Sequence, residues 1–251
     1  MIRFFRWMMM SVLIVVGLTH IVAAQTLVVG ITDWRPYNWM TDEMQATGIV
    51  VDILHEVSKR TGYTFTYNQW PQKRFLLYFR EGQFTVEPAC NPAWREVDQD
   101  ISRYTVAYMQ AKNVVLMKKG SGIKATSPKD FQGKVFGCDL GYSYADGFED
   151  AFKHGEITRD DAPTGTKGNI QKLAADRVDG IIIDPVVGRY WIEELQMNQD
   201  DFEEVYTFKD DNSLFMRIHV SQEALLPALN TALEAMKAEG IIETIVGNYT
   251  K

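Results

Sequence analysis

Only two cysteines, Cys90 and Cys138, occur in the 251 residues, too few for a disulfide scaffold, although an exported chain could join them. They fall in what read as different halves of the fold, where a bridge would lock any hinge, so two free, mostly buried thiols are expected. Histidine is also scarce. His55, His154 and His219 are isolated and lack the spacing of a zinc site, and no metal or cofactor is expected. Low-complexity tracts and repeats at solenoid spacing are missing. Positive charge is not in excess either: the net charge is −7, which argues against nucleic acid and anionic membranes as partners.

The front of the chain has a basic start (Arg3, Arg6), an apolar run from Trp7 to Leu18 and a small-residue end, Val22-Ala23-Ala24. This order reads as a secretory signal peptide over residues 1–24, removed on export to the periplasm. A retained anchor is the alternative, because Trp7 to Ala24 approaches the length of a short membrane helix. It ranks second, since the apolar part ends in an A-x-A-like site and no later run is long enough to span a bilayer. Without Arg3 and Arg6 the chain keeps 24 basic against 33 acidic residues, a net −9. The 46% hydrophobic and 24% charged composition is that of a globular protein.

What is present is an alternation of strand and helix signals. Thr26 to Ile31 is a β-branched, apolar run that ends in the aromatic loop Thr32-Asp33-Trp34-Arg35-Pro36-Tyr37. Gly48 precedes a helical period with Val50, Ile53, Leu54 and Val57 on one face, and Gly62 stops it. Thr64 to Tyr67 reads as a strand, and Trp70-Pro71 opens a helix carrying Arg74, Leu76, Leu77 and Phe79. Phe84 to Glu87 reads as a third strand. The βαβαβ pattern predicts a parallel sheet covered by helices, with ligands at the carboxyl ends of the strands. All three ends carry unusual side chains: Asp33 and Trp34, then Trp70, then Glu87 to Arg95.

The stretch Phe84 to Arg103 holds the sharpest signal. Pro88 and Pro92 remove backbone donors, so the strand is expected to break there and leave Arg95 on a loop, its guanidinium fork suited to a carboxylate. Taken alone, Arg95 could equally cap a turn or pair with Glu96 or Asp98. A second strand and helix set begins after Lys118-Lys119-Gly120-Ser121-Gly122. Ser127-Pro128-Lys129-Asp130 reads as a capped short helix, and Lys134 to Cys138 as a strand. Gly141-Tyr142-Ser143-Tyr144 is then expected to lead into a helix with Phe148 and Phe152, Ser143 being an anion donor or an ordinary cap. Val178 to Ile183 reads as a buried strand ending in Asp184-Pro185, where Asp184 suits a helix cap. Leu214 to His219 is expected to return the chain to the first half, before an amphipathic helix from about Gln222 to Ala238.

The ordered segments VVGITDWRPY, GIVVDILHEVSKRTGY, WPQKRFLLYFREGQF, NPAWR, ISRYTVAY, DFQGKVFGCDLGYSY and KLAADRVDGIIID, with the C-terminal helix, together resemble family 3 of the bacterial periplasmic solute-binding proteins, over essentially all of 26–251. The resemblance implies a two-lobed α/β fold of the type II periplasmic-binding class, each lobe a mostly parallel sheet flanked by helices, joined by two hinge crossings. Lobe 1 would comprise 26–114 and 215–251, and lobe 2 would comprise 115–214. It implies a monomer that captures a small polar, amino-acid-like or carboxylate-bearing ligand for the permease of an ABC importer. A periplasmic dehydratase-like enzyme and a ligand module for a separate sensory receptor are the alternatives.

By the same resemblance Arg95 grips the ligand carboxylate, Ser143 and Tyr142 in the GYSY turn add donors, Asp184 holds an ammonium group, and Trp34 and Trp70 line the sides. The chain departs from the family at Thr85, where an acid is usual, and at Glu87 and Pro88, where small hydroxyl residues are usual. Glu87 would then pair with Arg95 or Arg74, receive a cationic ligand group, or be a plain surface carboxylate. These departures weigh against an ordinary α-amino-acid ligand.

Overall fold

The computed structural model describes residues 25–162, 165–210 and 212–250; the expected export segment, residues 1–24, lies outside them. Strand β1 (Thr26–Ile31) buries Leu27, Val29 and Ile31, the period-2 set that faces one side of a sheet. A short hairpin, β2 (Trp39–Met40) and β3 (Ala46–Thr47), precedes helix α1 (Ile49–Thr61). Ile49, Val50, Ile53, Leu54 and Val57 of α1 fill the core at helical spacing, each stabilising by about 1.5–3 kcal/mol relative to exposure. Gly62 ends α1 in the left-handed region at φ 76°, its N–H donating to the Ser58 carbonyl. β4 (Thr64–Gln69) pairs with β1 in parallel along its whole length. α2 (Gln72–Arg80) follows, burying Phe75 and Phe79 one turn apart.

β5 (Val86–Cys90) runs through Pro88, contrary to the break expected there. The sheet tolerates the proline because β5 meets β1 only at Val29–Val86, while the ladder on its other side is irregular between the positions opposite Cys90 and Glu87. Pro88 therefore removes no ladder donor, and its carbonyl accepts from the Tyr108 hydroxyl at 2.6 Å. Arg95 accordingly lies not on an open loop but at a kink within the 3₁₀ stretch Pro92–Ile101, its own backbone non-helical at φ −132° and ψ 26°. Asn91 caps the start of the stretch, its side chain accepting from the Ala93 N–H.

After β6 (Ser102–Tyr104) and β7 (Met109–Gln110) the chain crosses to a second sheet. There it forms β8 (Val114–Lys118), β9 (Val135–Asp139), α3 (Phe148–Lys153), β10 (Thr158–Ala162), α4 (Gly165–Ala174), β11 (Gly180–Ile183), α5 (Pro185–Glu194) and β12 (Phe202–Thr207). It then returns through β13 (Ser213–His219) and closes with α6 (Leu226–Ala238) and α7 (Ile241–Asn248). The first sheet has the order β4-β1-β5-β13-β6, with β7 also on β13; the second has β10-β9-β11-β8-β12. Each is mostly parallel, with one reversed strand. The strands entered at a crossing, β13 in the first sheet and β8 in the second, run antiparallel to their neighbours, and the other strands of each sheet share one direction. Cys90 in β5 and Cys138 in β9 are buried, free, and in different sheets.

Gly30 in β1 shows how tightly the first sheet is packed. A Cβ placed there would overlap the ring of Phe84, which is fully buried, stacks on Trp70 and meets Phe75 at a tilt and Phe79 edge-on. Gly30→Ala is expected to destabilise by about 1–3 kcal/mol through overpacking. In urea unfolding this appears as a lower midpoint with an unchanged slope; an unshifted midpoint would mean that the Phe84 ring yields without cost.

Candidate functional site

A cleft of about 620 Å³ opens where strand ends from both sheets converge. Residues after β1 (Thr32, Trp34, Asn38), at and after β5 (Glu87, Trp94, Arg95), at and after β9 (Asp139, Tyr142, Ser143) and after β11 (Asp184) all line it. The carboxyl-end rule for parallel strands thus holds in both sheets at once.

Arg95 forms the most structured corner. Its Nη2 and Nε donate to Glu87 at 2.6 and 3.3 Å, and Nη1 donates to the Trp94 carbonyl at 3.0 Å. A guanidinium has five N–H donors, so with three engaged two are left for a ligand. Burial works against the Arg95 charge, but the adjacent Glu87 carboxylate outweighs it and holds the pKa above the ordinary arginine value. Glu87 therefore pairs with Arg95 and not with Arg74. Its second oxygen also accepts from Nη1 of Arg217 at 3.0 Å. Arg217 is fully buried, donates to Asp98 at 3.1 Å and Ser102 at 2.8 Å, and stacks 3.6 Å from the Phe79 ring centroid. Arg80 holds the other oxygen of Asp98 at 2.6 Å. Three arginines and two carboxylates thus form a ladder beneath the cleft.

Asp184 caps α5, as its position before Pro185 predicts, and it also faces the cleft. Oδ1 accepts from the N–H groups of Val186 (2.8 Å) and Val187 (3.2 Å); Oδ2 accepts from the Lys112 N–H (2.9 Å) and the Tyr37 hydroxyl (3.3 Å). Burial raises its pKa and these donors oppose the rise. The Tyr37 bond links the loop after β1 to the second sheet. Trp34 packs at a tilt on Tyr37, ring centroids 4.2 Å apart, and meets Trp94 edge-on at 6.4 Å, which makes an aromatic wall.

Two expected lining residues are elsewhere. Trp70 follows the edge strand β4 and folds back onto Phe84 and Tyr78 at 5.2 and 5.3 Å, away from the lining. Arg74 is exposed on α2, because Phe75 and Phe79 set the inward face, and it is Gln72, one turn before Phe75 on that face, that reaches the cleft. Ser143 lines the cleft but caps no helix: α3 begins only at Phe148, after Gly147 in the left-handed region. Tyr142 is half exposed; burial of its hydroxyl pushes its pKa up to about 12, with Asp139 raising it further and Arg95 opposing, so it stays protonated.

Sequence reasoning missed Trp94, Asp139 and Arg217. Trp94 was visible only as the neighbour of Arg95. Asp139 had the same signature as Asp184, an aspartate ending an apolar strand. An arginine inside the apolar run of β13 was the available sign for Arg217.

A cleft between two mixed sheets, with its polar groups on strand ends from both, defines a ligand-binding protein of the type II periplasmic-binding fold. A family model for bacterial extracellular solute-binding proteins, family 3, matches residues 27–251, and the chain belongs to that family. Among curated proteins no match was found. Solved structures share the fold. An ancestral arginine-binding protein bound to arginine superposes with TM-score 0.72 at 19% identity, covering 90% of this chain and 98% of that one. The ancestral amino-acid-binding protein AncCDT-1, a precursor of cyclohexadienyl dehydratase, gives 0.70 at 20%, covering 90% and 95%. The second substrate-binding domain of Lactococcus lactis GlnP, in an open conformation, gives 0.64 at 18%, covering 91% and 96%.

Proposed function

We propose that this chain is an exported receptor that captures a small amino-acid-like, carboxylate-bearing solute between two closing lobes and delivers it to the permease of an ABC importer. The observation that carries this reading is Arg95, clamped by Glu87 with two N–H groups still available at the cleft. A carboxylate there gains charge-assisted bonds of about 1.5–3 kcal/mol each. Asp184, on the opposite sheet, is the ammonium acceptor of the reading. Its four acceptor positions are filled, so an ammonium replaces the longest bond, that of Tyr37 at 3.3 Å. Trp34 and Trp94 enclose the ligand's apolar part.

In this reading residues 26–114 and 215–251 form one lobe, residues 115–214 form the other, and the two crossings serve as hinges. Only the closed state contacts the ligand from both sides, so binding shifts the population toward closure. The periplasm is the expected compartment, with residues 1–24 removed. Catalysis on the same fold is the less supported alternative: Glu87, the candidate acid or base, already has both oxygens on guanidinium groups.

Calorimetric titration with a panel of amino acids, polyamines and small organic acids, paired with small-angle scattering, tests the capture. We expect at least one carboxylate-bearing solute to bind with micromolar or tighter affinity, to decrease the radius of gyration at saturation, and to be recovered chemically unchanged. An unchanged radius would contradict closure, and a converted ligand would contradict simple capture. Ligand-dependent stimulation of ATP hydrolysis in membranes carrying the candidate permease tests delivery.

A further inference from the structure

We propose that Asp139 is the specificity-determining carboxylate of the cleft and receives a cationic group on the ligand's side chain, so that the captured solute is an amino acid with a second positive charge. This rests on the amino-acid capture proposed above and adds to it a substrate class and a residue. Asp139 ends β9, and β9 pairs directly with β11, whose end carries Asp184. The two carboxylates therefore stand on adjacent strand ends of one sheet, with Arg95 presented from the other.

The three cleft carboxylates differ in how they are satisfied. Glu87 is held by two guanidinium groups, and Asp184 is filled by four neutral donors. Among the described residues the Asp139 carboxylate accepts only from the Thr166 hydroxyl at 2.6 Å and the Asn169 amide at 2.9 Å, both on α4. A carboxylate offers about four acceptor positions, so about half of its capacity is open toward the cleft it lines. Among the described residues no lysine or arginine lies within ion-pair distance of its side chain. Burial raises its pKa, with Thr166 and Asn169 opposing, as suits an anion with no counter-ion. Glu87, the residue the sequence offered for a cationic group, is already neutralised.

The charge of the lining points the same way. Among the described lining residues Glu87, Asp139 and Asp184 face the cleft against a single lysine or arginine, Arg95. Arg217 balances Glu87 from below. A zwitterion leaves this negative excess untouched, whereas a cationic side chain reduces it. If Asp139 served only to tie β9 to α4 through Thr166 and Asn169, an uncharged amide would do the same without the cost of a desolvated charge.

The test is calorimetric titration of wild-type protein and Asp139→Asn with L-lysine, L-arginine, L-glutamine and L-norleucine, beside melting curves of both. Wild type is expected to bind lysine or arginine at least about tenfold more tightly than either neutral amino acid. Asp139→Asn is expected to weaken the cationic ligands about tenfold or more and the neutral ones less than about threefold, with a cooperative melt retained. Equal losses for all ligands, or tighter wild-type binding of a neutral one, overturn the role of Asp139 and leave capture standing. Binding of none of the four by cooperatively melting wild-type protein overturns amino-acid capture itself, and this inference with it.

Discussion

Arg217→Met is expected to lower the thermal midpoint on the order of 10 °C. Arg217 is fully buried and bonds Glu87, Asp98 and Ser102 while it covers the Phe79 ring. Methionine preserves much of the packing over Phe79 but leaves Glu87 and Asp98, both buried, short of their shared cation. Removing one partner of a buried ion pair costs about 3–5 kcal/mol, because the other charge stays in a medium that does not solvate it. For a chain of this size each kcal/mol moves the midpoint by about 2–4 °C. Asp98→Asn in the same background should be less than additive, since it removes one of the two carboxylates left with a single arginine each. A single-variant shift below about 2 °C, measured by calorimetry or circular dichroism, would show that Arg95 and Arg80 alone suffice for the two carboxylates.

Arg95→Ala is expected to act on the ligand more than on the fold. It also contacts Glu87, but Glu87 keeps Arg217 when Arg95 is lost, so the buried carboxylate is not orphaned. A ligand carboxylate in the closed cleft has no such substitute, and truncating its partner costs about 2–5 kcal/mol. With a factor of ten worth about 1.4 kcal/mol, the tightest ligand of the panel should bind at least about thirtyfold more weakly. Arg95→Lys keeps the charge but loses the fork that serves Glu87 and the ligand together, so it should recover only part of the loss. Calorimetric titration beside a melting curve separates the two effects. Near-wild-type affinity in Arg95→Ala would remove the carboxylate anchor from the proposed function.

The two arginines share one glutamate, yet only one was legible. Arg95 stood out because prolines and a tryptophan surround it and because the NPAWR segment resembles the family's. Arg217 sits 130 positions from its partner Glu87, and no local pattern carries that pairing. Trp70 and Arg74 show the converse failure. Each follows or occupies an element correctly read from periodicity, but β4 is an edge strand and α2 turns its phenylalanine face inward, so neither residue reaches the cleft.

By itself the sequence determined the features that short-range physics controls. Alternation and helical period set β1 and α1, Gly62 provides the left-handed stop, and Asp184 before Pro185 makes the cap of α5. These depend on backbone sterics and on donors a few residues away. Only the tertiary structure decided that Pro88 stays within a strand, that Ser143 precedes its helix by five positions instead of capping it, and which carboxylates meet a cation. The reason is physical. A buried charge is satisfied by whichever partner the packed sheets bring within about 3–4 Å, and with partners drawn from β13, α2 and α4 that proximity exists only once both sheets have formed.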